Sequence, residues 1–201
     1  MIRKFGSIKR KGGSFMGGKT WLHFKTITTH KLLVMRYCFR LGLYKQGILH
    51  DLSKYSPTEF LVGVKYYLGD ESPNNAERMD KGYSSAWLHH KGRNKHHYEY
   101  WIDYSLDGTY PLTGMKMPLC YVVEMVVDRI CASKVYYGKE YNQTLPWKYY
   151  ARGRKRMIIH PETQALLEKL LKMLYKKGEK KDILVYKICI ITKRRLLKYL
   201  S

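Results

Sequence analysis

An all-α domain is the fold class that this sequence predicts, on three observations. Apolar residues recur at helical spacing: Leu33, Val34 and Tyr37 follow His30 on one face, and Leu166, Leu167, Leu170, Leu171 and Leu174 form a second stripe. Proline and glycine punctuate these stretches as helix starts and stops, with Pro57, Pro118 and Pro161 opening and Gly138 and Gly178 closing. The chain of 201 residues is 45% hydrophobic, enough for one domain with a substantial core and too apolar for a disordered chain.

Residues 1–18, rich in Gly, Lys, Arg and Ser without periodicity, read as a flexible basic extension, and Met16 is a candidate start because amphipathic sequence begins directly after it. The domain spans 19–178. A helix is expected from Trp21 to about Leu43, and Gly42 and Gly47 bracket a break before a short helix carrying His50-Asp51. Ser56-Pro57-Thr58-Glu59 has the form of a capping box opening the next helix, a structural signal. Gly69 to Asn75 reads as a loop, followed by helix from about Asn75 to His90, with Gly92 as an interruption. Tyr98–Tyr104 reads as a short aromatic helix turned by Asp107-Gly108. Pro118 starts a long helix with Glu124 and Asp128 four apart on one face. A Tyr- and Arg-rich connection leads to the helix from Pro161, where His160 is a helix-start residue. Residues 179–201 form a basic, apolar tail, in which Ile183–Ile191 reads as a strand, a docking helix or an adventitious end.

The formal charge is +22. Residues 1–20 contribute +6 and residues 176–201 contribute +7, so the body between carries +9. Such a chain attracts nucleotides, nucleic acids or acidic membranes, without choosing among them. No apolar run approaches a membrane span, and no apolar stretch of a secretory signal follows the basic start. The cysteines Cys38, Cys120, Cys131 and Cys189 form no CxxC pair and read as reduced thiols of a cytoplasmic protein.

Seven of the eight histidines precede residue 100. His30, His50 beside Asp51, the group His89, His90, His96 and His97, and a lone Asp128 in an apolar stretch form an ordered series of imidazoles and carboxylates. This donor set suits zinc, iron, manganese, cobalt or nickel. Ligands from separate helices meet only in a bundle core. Other readings stand beside this one: an exposed histidine loop binding phosphate or RNA, a structural ion-pair role for Glu124, and core and rim packing for most of the 19 tyrosines.

The order His30, His50-Asp51, middle histidines, Asp128 resembles the HD-domain superfamily of metal-dependent phosphohydrolases. His50-Asp51-Leu52-Ser53-Lys54 is similar to that superfamily's motif, with Ser53 where glycine is frequent. Residues from about Trp21 to Leu174 also resemble an uncharacterised bacterial and phage family, a domain of unknown function. That likeness rests on His50 to Phe60, Ala86 to His97, Asp128 and Ile159-His160-Pro161-Glu162-Thr163. The HD resemblance implies an HD-like helical bundle in which His30, His50, Asp51 and Asp128 hold one divalent ion (Mn, Fe, Co, Ni or Zn). It implies that Asp51 bridges to a second ion completed by His90 and His97, with His89 and His96 as reserve ligands or phosphate contacts. Two such ions about 3.5–4 Å apart clamp a phosphoryl group. Asp51, Lys54 and Glu124 are then the catalytic candidates, with Glu124 orienting a ligand imidazole and Lys54 reaching a phosphate oxygen. Lys91, Arg93 and Lys95 are expected to bind further phosphates.

The expected function is metal-dependent hydrolysis of a nucleotide or other phosphoester, with an anionic small molecule as partner. Two alternatives remain open: an HD-type di-iron oxygenase, and a non-catalytic nucleic-acid-binding protein built on the basic ends and tyrosines.

Overall fold

A computed structural model describes residues 16–178 apart from 70, 107 and 109. The basic extension (residues 1–15 of it) and the tail with Ile183–Ile191 lie outside the described residues. The described chain is mostly helical. α1 (Met16–Arg40), α2 (Tyr44–Leu49), α3 (Pro57–Lys65), α4 (Pro73–Lys81), α5 (Ser85–Lys91), α6 (Leu119–Tyr137), α7 (Leu145–Gly153) and α8 (Pro161–Lys177) follow in order. A two-stranded antiparallel hairpin, β1 (Ile102–Tyr104) with β2 (Leu112–Gly114), sits between α5 and α6 in register Asp103 to Thr113.

α6 is the central element. Its run from Val122 to Val127 is buried without interruption, as expected of a helix surrounded by others. One side packs against Leu166, Leu167, Leu170, Leu171 and Leu174 of α8 and Tyr150 of α7. The other side packs Val127 and Cys131 against Val34 and Cys38 of α1. Truncating a leucine such as Leu167 or Leu171, each 0% exposed, is worth about 2–5 kcal/mol. On α1 the buried stripe is His23, Ile27, His30, Val34 and Cys38, which repeats at helical spacing and carries His30 into the interior.

Several elements differ from expectation for identifiable reasons. Gly47 lies inside α2 rather than at a break; a Cβ there would stand 3.0 Å from the Cβ of Cys38, so its absence lets α2 lie close on α1. The His50-Asp51 doublet is not on a helix but at the junction between α2 and a single 3-10 turn, Leu52–Tyr55. The expected 75–90 helix is two helices, because Gly82 turns left-handed with φ 80°. Tyr98–Tyr104 is a 3-10 turn followed by β1, not one helix. Gly114 lets the hairpin meet the start of α8: a Cβ there would fall 2.5 Å from the His160 nitrogen. The Tyr- and Arg-rich connection contains α7. His160 caps α8, its Nδ1 accepting from the Glu162 amide at 3.2 Å. Among the described residues Cys38, Cys120 and Cys131 form no disulfide. No helix among the described residues is long and apolar enough to cross a membrane.

Candidate metal centre

α1 brings His30, the α2 junction brings His50 and Asp51, α5 brings His90, the loop after it brings His96 and His97, and α6 brings Glu124 and Asp128. Asp51 is the one non-glycine residue with positive φ among the described residues, at φ 54° and ψ 23°. Aspartate tolerates this left-handed conformation better than most residues. The turn sends its carboxylate inward, where it is 2% exposed.

Two groups of side chains meet on that carboxylate and can hold a metal ion. In the first, His30 Nε2 lies 3.0 Å from Asp128 Oδ1, 3.3 Å from His50 Nε2 and 3.6 Å from Asp51 Oδ2. His50 Nε2 lies 3.3 Å from Asp51 Oδ2 and 3.7 Å from Asp128 Oδ1. In the second, Asp51 Oδ1 lies 3.2 Å from His90 Nε2 and 3.4 Å from His96 Nε2, and His90 Nε2 lies 2.9 Å from His97 Nε2. Ligand atoms about 2.1 Å from a shared ion stand about 3.0 Å apart in an octahedron and about 3.4 Å in a tetrahedron. The spacings are those of coordination edges. Buried polar atoms ordinarily find hydrogen-bond partners, yet Asp51 Oδ1 and His96 Nε2 have none among the described residues, while Asp51 Oδ2 is met by the Lys54 ammonium at 2.6 Å. Both orphaned atoms belong to the second group, and the donor set fits one or two divalent ions.

The opposite ring nitrogens are held by carboxylates. Glu124 Oε1 is 2.9 Å from His50 Nδ1 and 3.2 Å from His96 Nδ1, so one carboxylate orients an imidazole of each group. Glu59 Oε2 accepts from His90 Nδ1 at 2.8 Å and its Oε1 from His89 Nδ1 at 2.6 Å. Asn94 Nδ2 donates to Ser53 Oγ at 2.8 Å and to the His90 carbonyl at 2.8 Å, which ties the histidine loop to the doublet's turn.

The field of the cluster is uneven. Burial disfavours the His50 imidazolium, but Asp51, Glu124 and Asp128 outweigh it and raise His50 to about 9. His90 is raised likewise, burial opposing and Asp51 and Glu59 prevailing. Burial lowers His96 and His97; His50 adds to the first shift, His96 and His90 to the second. Burial works against the Asp51 carboxylate, but His50, Lys54 and His90 hold it well below the usual range. Lys54 Nζ stands 2.6 Å from Asp51 Oδ2, and its side chain is 31% exposed. Asp128 is 16% exposed, whereas His50 is 0%, so the cluster opens to solvent on the side of Asp128 and Lys54.

The structure thus brings together His30, His50, Asp51, Asp128, His90 and His97. It also places His96 within the second group, 2% exposed, where it cannot serve as a surface phosphate contact. His89 turns to Glu59. Arg93 and Lys95 are exposed and engaged elsewhere: Arg93 with the His89 carbonyl at 3.3 Å, Lys95 over the Tyr100 ring. Lys91 is half-buried. Glu59 is the functional residue that the sequence reading missed. Ser56 makes no side-chain cap, so the expected capping box is absent and Glu59 serves the histidines instead. Its one sequence signal is its place in the first turn of α3, the first α-helix after the doublet.

A family of unknown function, DUF5662, matches residues 19–173, and the chain belongs to it. No curated protein and no solved structure matches the chain.

Proposed function

We propose that this member of the family is a metal-dependent phosphohydrolase of the HD type. The observation that carries the reading is the Asp51 carboxylate, whose two oxygens face two separate groups of ligand atoms. His30, His50, Asp51 and Asp128 would hold one ion, and Asp51, His90, His96 and His97 the other. Divalent ions in such a site supply Lewis acidity and make water nucleophilic near neutral pH.

The chain's own residues supply the rest. Glu124 and Glu59 fix ring orientation and leave each Nε2 free to ligate. Burial opposes the Lys54 ammonium, but Asp51 and Asp128 raise its pKa above the ordinary value. Lys54 therefore stays protonated and acts as a fixed positive charge toward a phosphoryl oxygen, not as a proton donor. It stands on the open side of the cluster, where an anionic phosphoester, such as a nucleotide, would approach.

The test is elemental analysis of protein purified without added metal, followed by assay of phosphomonoesters and phosphodiesters with manganese or cobalt. His50→Ala and Asp51→Ala are expected to abolish both metal content and turnover. Full activity in Asp51→Ala would end the reading. Five imidazoles and two carboxylates also suit a pair of irons. Oxygen-dependent turnover by iron-loaded protein, without phosphoester hydrolysis, would redirect the assignment to an oxygenase.

A further inference from the structure

Between Tyr141 and Pro161 the chain has no acidic residue, while Lys148, Arg152, Arg154, Lys155 and Arg156 give it +5. Arg154 is partnered by Glu168 at 3.4 Å. Arg152, Lys155 and Arg156 are exposed and make no ion pair among the described residues. Tyr149 beside them is 67% exposed. Tyr149 and Arg152, three residues apart, share one face of α7, and Lys155 and Arg156 follow in the 3-10 turn Arg154–Arg156 directly after it.

That face lies on the helix that packs against α6, the helix carrying Asp128. Tyr150, next to Tyr149, is buried, and its ring lies 5.9 Å from the guanidinium of Arg129, the residue after Asp128. A mononucleotide held at the cluster would leave this face unused. An anionic lipid surface would engage the arginines and lysine by charge alone, whereas a strand also offers bases to stack on the exposed Tyr149 ring.

We propose that Tyr149, Arg152, Lys155 and Arg156 form a binding track for single-stranded nucleic acid that leads a phosphodiester of the strand to the metal centre. The binding stands by itself; the cleavage rests on the phosphohydrolase reading. Hydrolysis forms one P–O bond from water and breaks one P–O bond to a sugar oxygen. One water proton goes to that oxygen, the other leaves with the phosphate, and no co-reactant is needed.

The experiment measures anisotropy of fluorescein-labelled, unstructured 12-mers of RNA and of DNA with the full chain across a salt series. Its variants are the triple R152Q/K155Q/R156Q, the equal-charge control K25Q/R36Q/K45Q on exposed positions of α1 and α2, and Tyr149→Ala. The track triple is expected to weaken binding at least tenfold and to lower the log–log salt slope by about 2, at about 0.7 per phosphate. Tyr149→Ala should weaken it at least fivefold with the slope unchanged, as lost stacking does. The control triple should change affinity less than twofold. Equal weakening by both triples would overturn the proposal, since it would show only a diffuse field. So would loss of binding to phosphatidylserine vesicles in the track triple with strand affinity intact. Unequal RNA and DNA affinities, both lost in the track triple, support it and identify the strand. If the wild-type protein binds the strand through the track but manganese-loaded protein cuts neither the strand nor bis(p-nitrophenyl) phosphate, the phosphohydrolase reading fails and the track stands.

Discussion

Lys31 Nζ stands 2.9 Å from the carbonyl oxygen of His50, and 2.6 Å from that of Ile48. These carbonyls lie at the end of α2, where a helix leaves acceptors without intrahelical donors. By holding them, Lys31 steadies the junction in which Asp51 adopts its left-handed turn. Lys31→Met is expected to cost about 1–3 kcal/mol by urea titration and to weaken metal retention. Lys31→Arg, which keeps a donor, should restore part of both. Unchanged metal content in the Met variant would show that the turn holds its shape without this contact.

Asp51 and Asp128 should differ in how much metal their removal costs. Asp51 contributes one oxygen to each group, Asp128 only to the first. Asp51→Asn is expected to leave neither site able to retain an ion through chelating-resin treatment. Asp128→Asn should retain the ion of the His90, His96 and His97 group. Elemental analysis of the two variants after identical loading separates them, and equal loss from both would argue against a bridging carboxylate.

Glu59 and Glu124 act behind the ligands, and their variants should show different reach. Glu59→Gln weakens the hold on His90 alone among the ligand candidates, so about a 10–100-fold loss of affinity is expected at the second group. Glu124→Gln loosens His50 and His96 together, so both groups should weaken. Competition with a chromogenic chelator resolves two affinities in the wild type and reports which one each variant moves.

These residues also show what was legible in the sequence. His30 could be placed because helical periodicity aligns it with Leu33, Val34 and Tyr37, Asp128 because it is a lone acid in an apolar stretch, and the His-Asp doublet announced itself as a motif. Glu59 was hidden because Ser-Pro-Thr-Glu has the same form whether its glutamate caps a helix or reaches across to α5. Choosing among His89, His90, His96 and His97 needed the path of the loop after Gly92, which Asn94 sets through contacts to Ser53 and the His90 carbonyl. Those are long-range contacts that no local pattern encodes. The hairpin was missed because Tyr98 to Tyr104 is aromatic enough for either structure, and its pairing partner lies eight residues further on, at Leu112.

Removing bound metal should loosen the fold around the doublet. His30 and His50 oppose their Nε2 atoms at 3.3 Å, and His90 and His97 at 2.9 Å. With no shared cation, each pair needs a proton between its nitrogens, and Asp51 Oδ1 stays without a directed donor. A ligand that binds only the folded state raises its melting temperature by mass action. Treatment with a strong chelator is therefore expected to lower the transition in calorimetry. Readdition of manganese, cobalt or zinc should restore it in wild type but not in His50→Ala.

Glu77 provides a pH signature separate from the metal. Its carboxylate, 0% exposed, accepts from Ser84 Oγ and Ser85 Oγ at 2.7 Å each, Lys81 Nζ at 3.2 Å and the Ala86 amide at 3.4 Å. It thereby ties α4 to the start of α5, the helix that carries His90. Burial alone would raise its pKa, but these donors outweigh burial and lower it to about 2. The folded state therefore binds fewer protons than the unfolded state between the ordinary value near 4.5 and about 2. Its stabilisation is complete above that window and is lost as the pH falls through it. Glu77→Gln should be less stable than wild type by about 1–3 kcal/mol at pH 7, with the gap closing as the pH drops from 5 toward 2. Urea midpoints of the two proteins across that range test the sign directly: a gap that widens toward acid would mean that the protonated form of Glu77 is the one the fold prefers.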